Sequence, residues 1–333
     1  MFRRRTVQLA LTLTLTGALA AGCRTETTGE LAATVQPAVL DGIGAHTLML
    51  PDSPTSVKFA VIGDSGRGTR PQREVADQMV RYRDQFEFPF TIMLGDNLYE
   101  GAATPDDYRM KFEEPYKALL DKGVEFYAVL GNHDDPLQVN YERFNMKGRR
   151  YYSFSPPGSI LTGVATSVEF FAIDSTYLDR EQMAWLEEKL AASTADWKVC
   201  FLHHPMYTSG RYRLASLAQR ATLESMFVRH QVNVVFSGHE HIYQRSTLQS
   251  GIQYFVSGGA GSLRSGDGVM TSYIARTFSG DYHFMLVEIE GDDLHFQAIS
   301  RTGRTIDAGT LSRTGRPPAA PARITALGTA DRR

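Results

Sequence analysis

Five short segments of this 333-residue sequence carry side chains able to hold metal ions. Asp64-Ser65-Gly66, Gly95-Asp96-Asn97-Leu98-Tyr99, Asn132-His133-Asp134, His203-His204-Pro205 and Gly238-His239-Glu240-His241 each follow an apolar run of strand length. Carboxylate, amide, imidazole and phenol are oxygen and nitrogen donors for hard or borderline ions. Tyr99 stands apart, because a phenolate is a hard donor that suits trivalent iron. Any one of these segments alone is an ordinary turn. Five of them at five strand ends make a site large enough for two ions. Thiolate ligation is excluded: of the two cysteines, Cys23 closes a leader-like segment and Cys200 sits in the apolar run Val199–Leu202, where a buried thiol is expected.

Such a site needs strands that end at a common edge. Val57–Gly63, Phe90–Leu94, Val124–Leu130, Lys198–Leu202 and Val232–Ser237 read as buried strands, and each runs directly into one of the five segments. Helical patterns lie between them. Pro71–Phe86 has proline at its first position, and Pro115 breaks Pro105–Lys122 in two. Arg180–Ser193 follows Asp179 as N-cap, and Leu214–His230 is the last. Tyr151–Phe154 and Val168–Ile173 read as a hairpin pair. Beyond Ser237 the rhythm changes to strands in succession: Gln253–Val256, His283–Glu290, Leu294–Ser300 and Thr305–Thr310. The expected fold is α/β, a layered αββα sandwich of mixed sheets flanked by helices. In such sheets ligands gather beyond the carboxyl ends of the strands.

The ends of the chain read differently. Met1–Arg5 is basic, Val7–Ala18 apolar, and Leu19–Cys23 a small-residue cleavage site ending in cysteine. The apolar run is shorter than the ~20 residues of a membrane span. The expectation is a lipoprotein-type signal over 1–22 with a lipid on Cys23, and ordinary secretion is the alternative. Residues 23–55 read as a tether with an early strand near His46–Leu50, 56–312 as the catalytic domain, and 313–333 as a disordered tail. A formal net charge of −2, with 42% hydrophobic residues, describes a globular protein without a field for nucleic acid. A monomer is expected, meeting the membrane only through Cys23.

The ordered set Asp64-x-Gly66, Gly95-Asp96-x-x-Tyr99, Gly131-Asn132-His133-Asp134, His203 and Gly238-His239-x-His241 resembles the calcineurin-like metallophosphoesterases. The tyrosine, the run Gly238–Arg245 and the turn Ser257–Gly261 look more narrowly like the small, mammalian-type purple acid phosphatases. The resemblance spans about residues 56–300. It implies an exported acid phosphatase that hydrolyses phosphate monoesters with two metal ions, Fe(III) and a divalent Fe, Zn or Mn. Asp64, Tyr99 and His241 would hold the ferric ion, and Asn132, His203 and His239 the divalent one. Asp96 would bridge them. His133 would lie beside the substrate phosphate with Asp134 orienting it. His204 would be a proton donor facing the cleft or a structural residue, and Arg211, Tyr207 and Arg245 would be phosphate or rim contacts.

Two other readings use the same residues. A phosphodiesterase or nucleotidase with Mn or Zn would need only different loops around Tyr207–Leu214 and Arg264–Ser279. A surface-anchored binding module on a dead scaffold would require lost ligands, and every inferred ligand position is filled. Ser65 as a covalent nucleophile lacks a base partner in the sequence.

Overall fold

A computed structural model describes residues 44–100, 103–156, 166–313 and 325–326. The expected signal segment and Cys23 lie outside the described residues. The strands are β1 (Thr47–Leu48), β2 (Val57–Ile62), β3 (Phe90–Met93), β4 (Glu125–Ala128), β5 (Tyr152–Phe154), β6 (Val168–Ile173), β7 (Trp197–Leu202), β8 (Val234–Ser237), β9 (Tyr243–Ser246), β10 (Gln253–Ser257), β11 (Ile274–Phe278), β12 (His283–Glu290), β13 (Asp293–Ser300), β14 (Thr305–Ser312) and β15 (Thr325–Ala326). The α-helices are α1 (Arg70–Arg83), α2 (Pro105–Tyr108), α3 (Lys117–Asp121), α4 (Arg180–Ala192) and α5 (Ser216–Arg229).

Two mixed sheets face each other. One has the order β14-β13-β12-β2-β3-β4 and the other β11-β9-β10-β8-β7-β6-β5. Strands β2, β3 and β4 run parallel to one another, as do β6, β7, β8 and β10. All five site-bearing loops therefore leave strand ends of a parallel run.

Alternation along the strands explains the layers. Phe59 on β2 stacks on Phe90 of β3 and meets Phe170 of β6 and Phe236 of β8 edge-on, at 5.1 and 6.0 Å. Phe255 of β10 packs on Phe296 of β13 in the same interlayer. The intervening residues point outward. Phe171, Ile173, Cys200 and Leu202 join Leu186 and Leu190 of α4 with Leu223 and Phe227 of α5, and Tyr82 of α1 meets Phe284 of β12 on the opposite outer face. Strands buried on both faces are apolar throughout, which is why they read as continuous runs. Cys200 is a buried free thiol, as expected.

The structure amends several expectations. Within the expected tether, residues from Gly44 onward belong to the fold. Leu48 and Leu50 are buried, Gln297 bonds both the Met49 amide and the Thr47 carbonyl, and the buried Glu288 accepts the amides of Asp52 and Ser53. Inside the expected disordered tail, β15 pairs antiparallel with β1. The segment after α2 passes through a π-helical turn at Arg109–Glu113 before α3 begins. Besides β15, strands β9 and β11 were not expected. Asp179 does cap α4, accepting from the Gln182 amide.

Candidate metal centre

The loop after β2 carries Asp64, that after β3 carries Asp96 and Tyr99, and that after β4 carries Asn132, His133 and Asp134. The loops after β7 and β8 carry His203 with His204 and His239 with His241. The structure brings the donors into two adjoining groups. In the first, the Tyr99 hydroxyl lies 3.1 Å from Asp64 Oδ1 and 3.0 Å from His241 Nε2, which is itself 3.3 Å from Asp64 Oδ1. In the second, His203 Nε2 lies 3.1 Å from Asn132 Oδ1 and 3.2 Å from His239 Nδ1. Asp96 belongs to both. Its Oδ1 is 3.4 Å from His203 Nε2, and its ligand atom clusters with those of Asp64 and His241.

These spacings test whether ions fit. With metal–ligand bonds of about 2.1 Å, atoms sharing one coordination sphere lie about 3.0–3.4 Å apart. The observed separations match, and the donors are the oxygen and nitrogen types such ions take. His203 is also prepared as a ligand. Its Nδ1 donates to the Leu94 carbonyl at 2.8 Å, which leaves the Nε2 lone pair facing the cluster.

Local backbone explains how the carboxylates are aimed. Asp64, Asp96 and His239 have φ of 55°, 52° and 66°, a left-handed conformation that is costly for side chains beyond glycine and marks functional turns. Gly131 is needed for space: a Cβ there would stand 2.2 Å from Asp96 Oδ1.

Charge is unbalanced inside the cluster. Burial, together with Asp64 and Asp96, pushes the Tyr99 phenol well above its usual range. Burial and the neighbouring His203 lower His204 to about 4, and burial with His203 and His204 lowers His239. Burial opposes charge on His203, but Asp96 and Asp64 outweigh it and raise its pKa. A phenol, two carboxylates and imidazoles crowded out of water are the surroundings that bound cations would compensate.

The remaining expected residues divide. His133 is exposed at the mouth, its ring 5.0 Å from that of Tyr99 and its amide donating to Asp96 Oδ1. Asp134 does not orient it. The carboxylate accepts from the amides of Leu98 and Gly131 and from the side chains of Asn97 and Gln138, so it ties two strand-end loops together. Burial, with Asp96 nearby, raises its pKa to about 6. His204 joins the second group, with His203 and His239, and its Nδ1 is 3.0 Å from Ser175 Oγ. Neither Tyr207 nor Arg245 contacts the cleft. The Tyr207 hydroxyl donates to Glu224, while Arg245 is buried against Asp307 because β9 runs through the interior. Arg211 is exposed, its amide donating to Asp267.

Three neighbours of the site were missed. Glu240, fully buried between His239 and His241 in the sequence, accepts the Tyr212 amide at 2.6 Å and Arg264 Nη1 at 3.2 Å, anchoring both rim loops. The Tyr212 ring lies 4.2 Å from that of His239. Arg67 lies over the Tyr99 ring. The position of Glu240 inside His-x-His was the only signal in the sequence for any of them.

Comparison with known proteins gives the family and the fold. The family model for calcineurin-like phosphoesterases matches residues 57–243. Purple acid phosphatase 3 of Arabidopsis thaliana is 26% identical over 272 residues, 73% of this chain and 70% of that protein. Tartrate-resistant acid phosphatase type 5 of Rattus norvegicus is 24% identical over 260 residues, 65% of this chain and 78% of its own length. Purple acid phosphatase PPD1 from yellow lupin seeds superposes with a TM-score of 0.61 at 15% identity, over 84% of this chain and 58% of that one. GAP50, the anchor in the inner membrane complex of Plasmodium, gives 0.68 at 20% identity, over 78% and 89%. At these identities the solved structures establish a shared fold.

Proposed function

Because this chain belongs to the calcineurin-like phosphoesterases and is a metal-dependent phosphoric ester hydrolase, we propose that it is an exported acid phosphomonoesterase of the purple acid phosphatase kind. In this reading Asp64, Tyr99 and His241 would hold Fe(III), Asn132, His203 and His239 would hold a divalent Fe, Zn or Mn, and Asp96 would serve both ions. Such a pair supplies the charge that clamps phosphoryl oxygens and acidifies water. The chain's own residues do the rest. His133, exposed beside Tyr99, is placed to meet a phosphate oxygen entering the mouth. Ser175 Oγ accepts the His204 amide at 2.9 Å, and the only acceptor for its own proton among the described residues is His204 Nδ1. That arrangement puts the imidazole proton on Nε2, where it can be shared in a hydrogen bond with the leaving-group oxygen.

The observation that carries the ferric reading is the Tyr99 hydroxyl packed between Asp64 and His241. If Tyr99 ligates Fe(III), the purified protein is violet to pink and Tyr99→Phe bleaches it while keeping much of the activity. Absorption spectra with metal analysis test this. A colourless, fully active protein containing only Mn or Zn would remove the purple acid phosphatase reading and leave the phosphoesterase intact.

Export and anchoring belong to the same proposal, on the strength of Cys23 closing the leader-like segment. Mass spectrometry of the mature N-terminus should find an acylated Cys23. An unmodified terminus after cleavage would replace the lipoprotein reading with plain secretion.

A further inference from the structure

The Arg67 guanidinium lies 3.7 Å from the centroid of the Tyr99 ring. Two contacts hold it there: Nε donates to Ser262 Oγ at 3.0 Å and Nη1 to Glu100 Oε1 at 3.1 Å. The backbone beneath is stitched as well. The Tyr99 amide donates to the Gly66 carbonyl at 2.9 Å, and a Cβ on Gly66 would stand 1.9 Å from the Asn97 carbonyl oxygen. The loop bearing Arg67 and the loop bearing Tyr99 thus touch along their length. Tyr99 is 2% exposed and Arg67 about one third, so the ring face is shielded by the cation and not by water.

A guanidinium over an aromatic face is attracted by its electron density, and more strongly where water is excluded. The ring concerned here carries the hydroxyl aimed at Asp64 and His241. We propose that Arg67 is a positioning residue for the metal centre: it holds the Tyr99 ring in its ligating orientation and draws electron density from the phenolate. The proposal rests on the ferric reading above. The ion pair with Glu100 contributes little by itself, since Glu100 is 83% exposed. Stacking on the ring is the effective contact.

A cation beside the phenolate stabilises the electrons that its charge-transfer band excites toward Fe(III). The metal-loaded Arg67→Met protein should therefore absorb at longer wavelength than the parent, and its iron should be harder to reduce. Arg67→Lys, which keeps charge without the planar stack, should shift less. Equal metal content in the three proteins is the control. An unmoved band with a raised KM would make Arg67 a phosphate contact and overturn the inference.

A colourless parent protein is a failure of the ferric reading instead. The stack is then judged by thermal unfolding of the proteins as purified, combining Arg67→Met with Tyr99→Leu. Non-additive Tm changes sustain Arg67 as the residue that positions Tyr99, and strictly additive changes refute it.

Discussion

Asp96 is the one carboxylate shared by both donor groups, whereas Asn132 contacts only the second through His203 Nε2. Their loss should differ in kind. Asp96→Ala should deplete both ions and lower activity at least about a hundredfold. Asn132→Ala should deplete mainly the divalent ion. Elemental analysis of the two purified variants separates the cases, and full two-metal occupancy in Asp96→Ala would refute the bridging role. The side chain of Asp96 has little freedom to be replaced. Its backbone is left-handed, and Gly131 leaves it space that a Cβ would fill.

At the scale of elements, Asp134 joins the loop after β3 to the loop after β4. Asp134→Ala would strand two backbone amides and the Gln138 side-chain amide, and take one acceptor from Asn97, which keeps the Val129 carbonyl. At about 1 kcal/mol for each, the loss should approach 3–4 kcal/mol of unfolding free energy. Urea denaturation would read it, and metal content should fall too if both loops carry ligands as proposed. An unchanged midpoint would show that water satisfies those groups. The same residue illustrates what was legible in the sequence. The donor positions that the structure brings together were, since each stands in a short glycine- or proline-containing motif directly after a buried apolar run. The role of Asp134 was not, because adjacency to His133 hid partners on another loop. Strands β9 and β11 escaped for a related reason. Buried Gln244 and Arg245 of β9 are satisfied by Thr208 and Asp307, 36 and 62 residues away, so no apolar alternation marks the strand. Polar burial of this kind depends on tertiary partners and leaves no local pattern.

At the scale of the whole molecule, the proposed acid activity would pull against stability. His283, the first residue of β12, is fully buried, and neither ring nitrogen meets hydrogen-bond geometry among the described residues. Burial lowers its pKa to about 4. The unfolded chain therefore binds the extra proton first as pH falls below about 6.5, and stability declines until the folded state is protonated near 4. His283→Phe should flatten that decline by up to about 3 kcal/mol, read from urea midpoints at neutral pH and near pH 4.5. Parallel pH profiles for the two proteins would refute this.

The seam between the sheets has a consequence of another sort. Asp64, Asp96, Tyr99 and Asn132 leave one sheet, while His203, His239 and His241 leave the other, so in the proposed assignment neither ion finds its full set on a single sheet. A chain whose sheets had formed but not docked would hold only partial sets, too few in that assignment to retain either metal. Catalytic competence would then act as an inspection of finished folding, carried out by whether the ions are held.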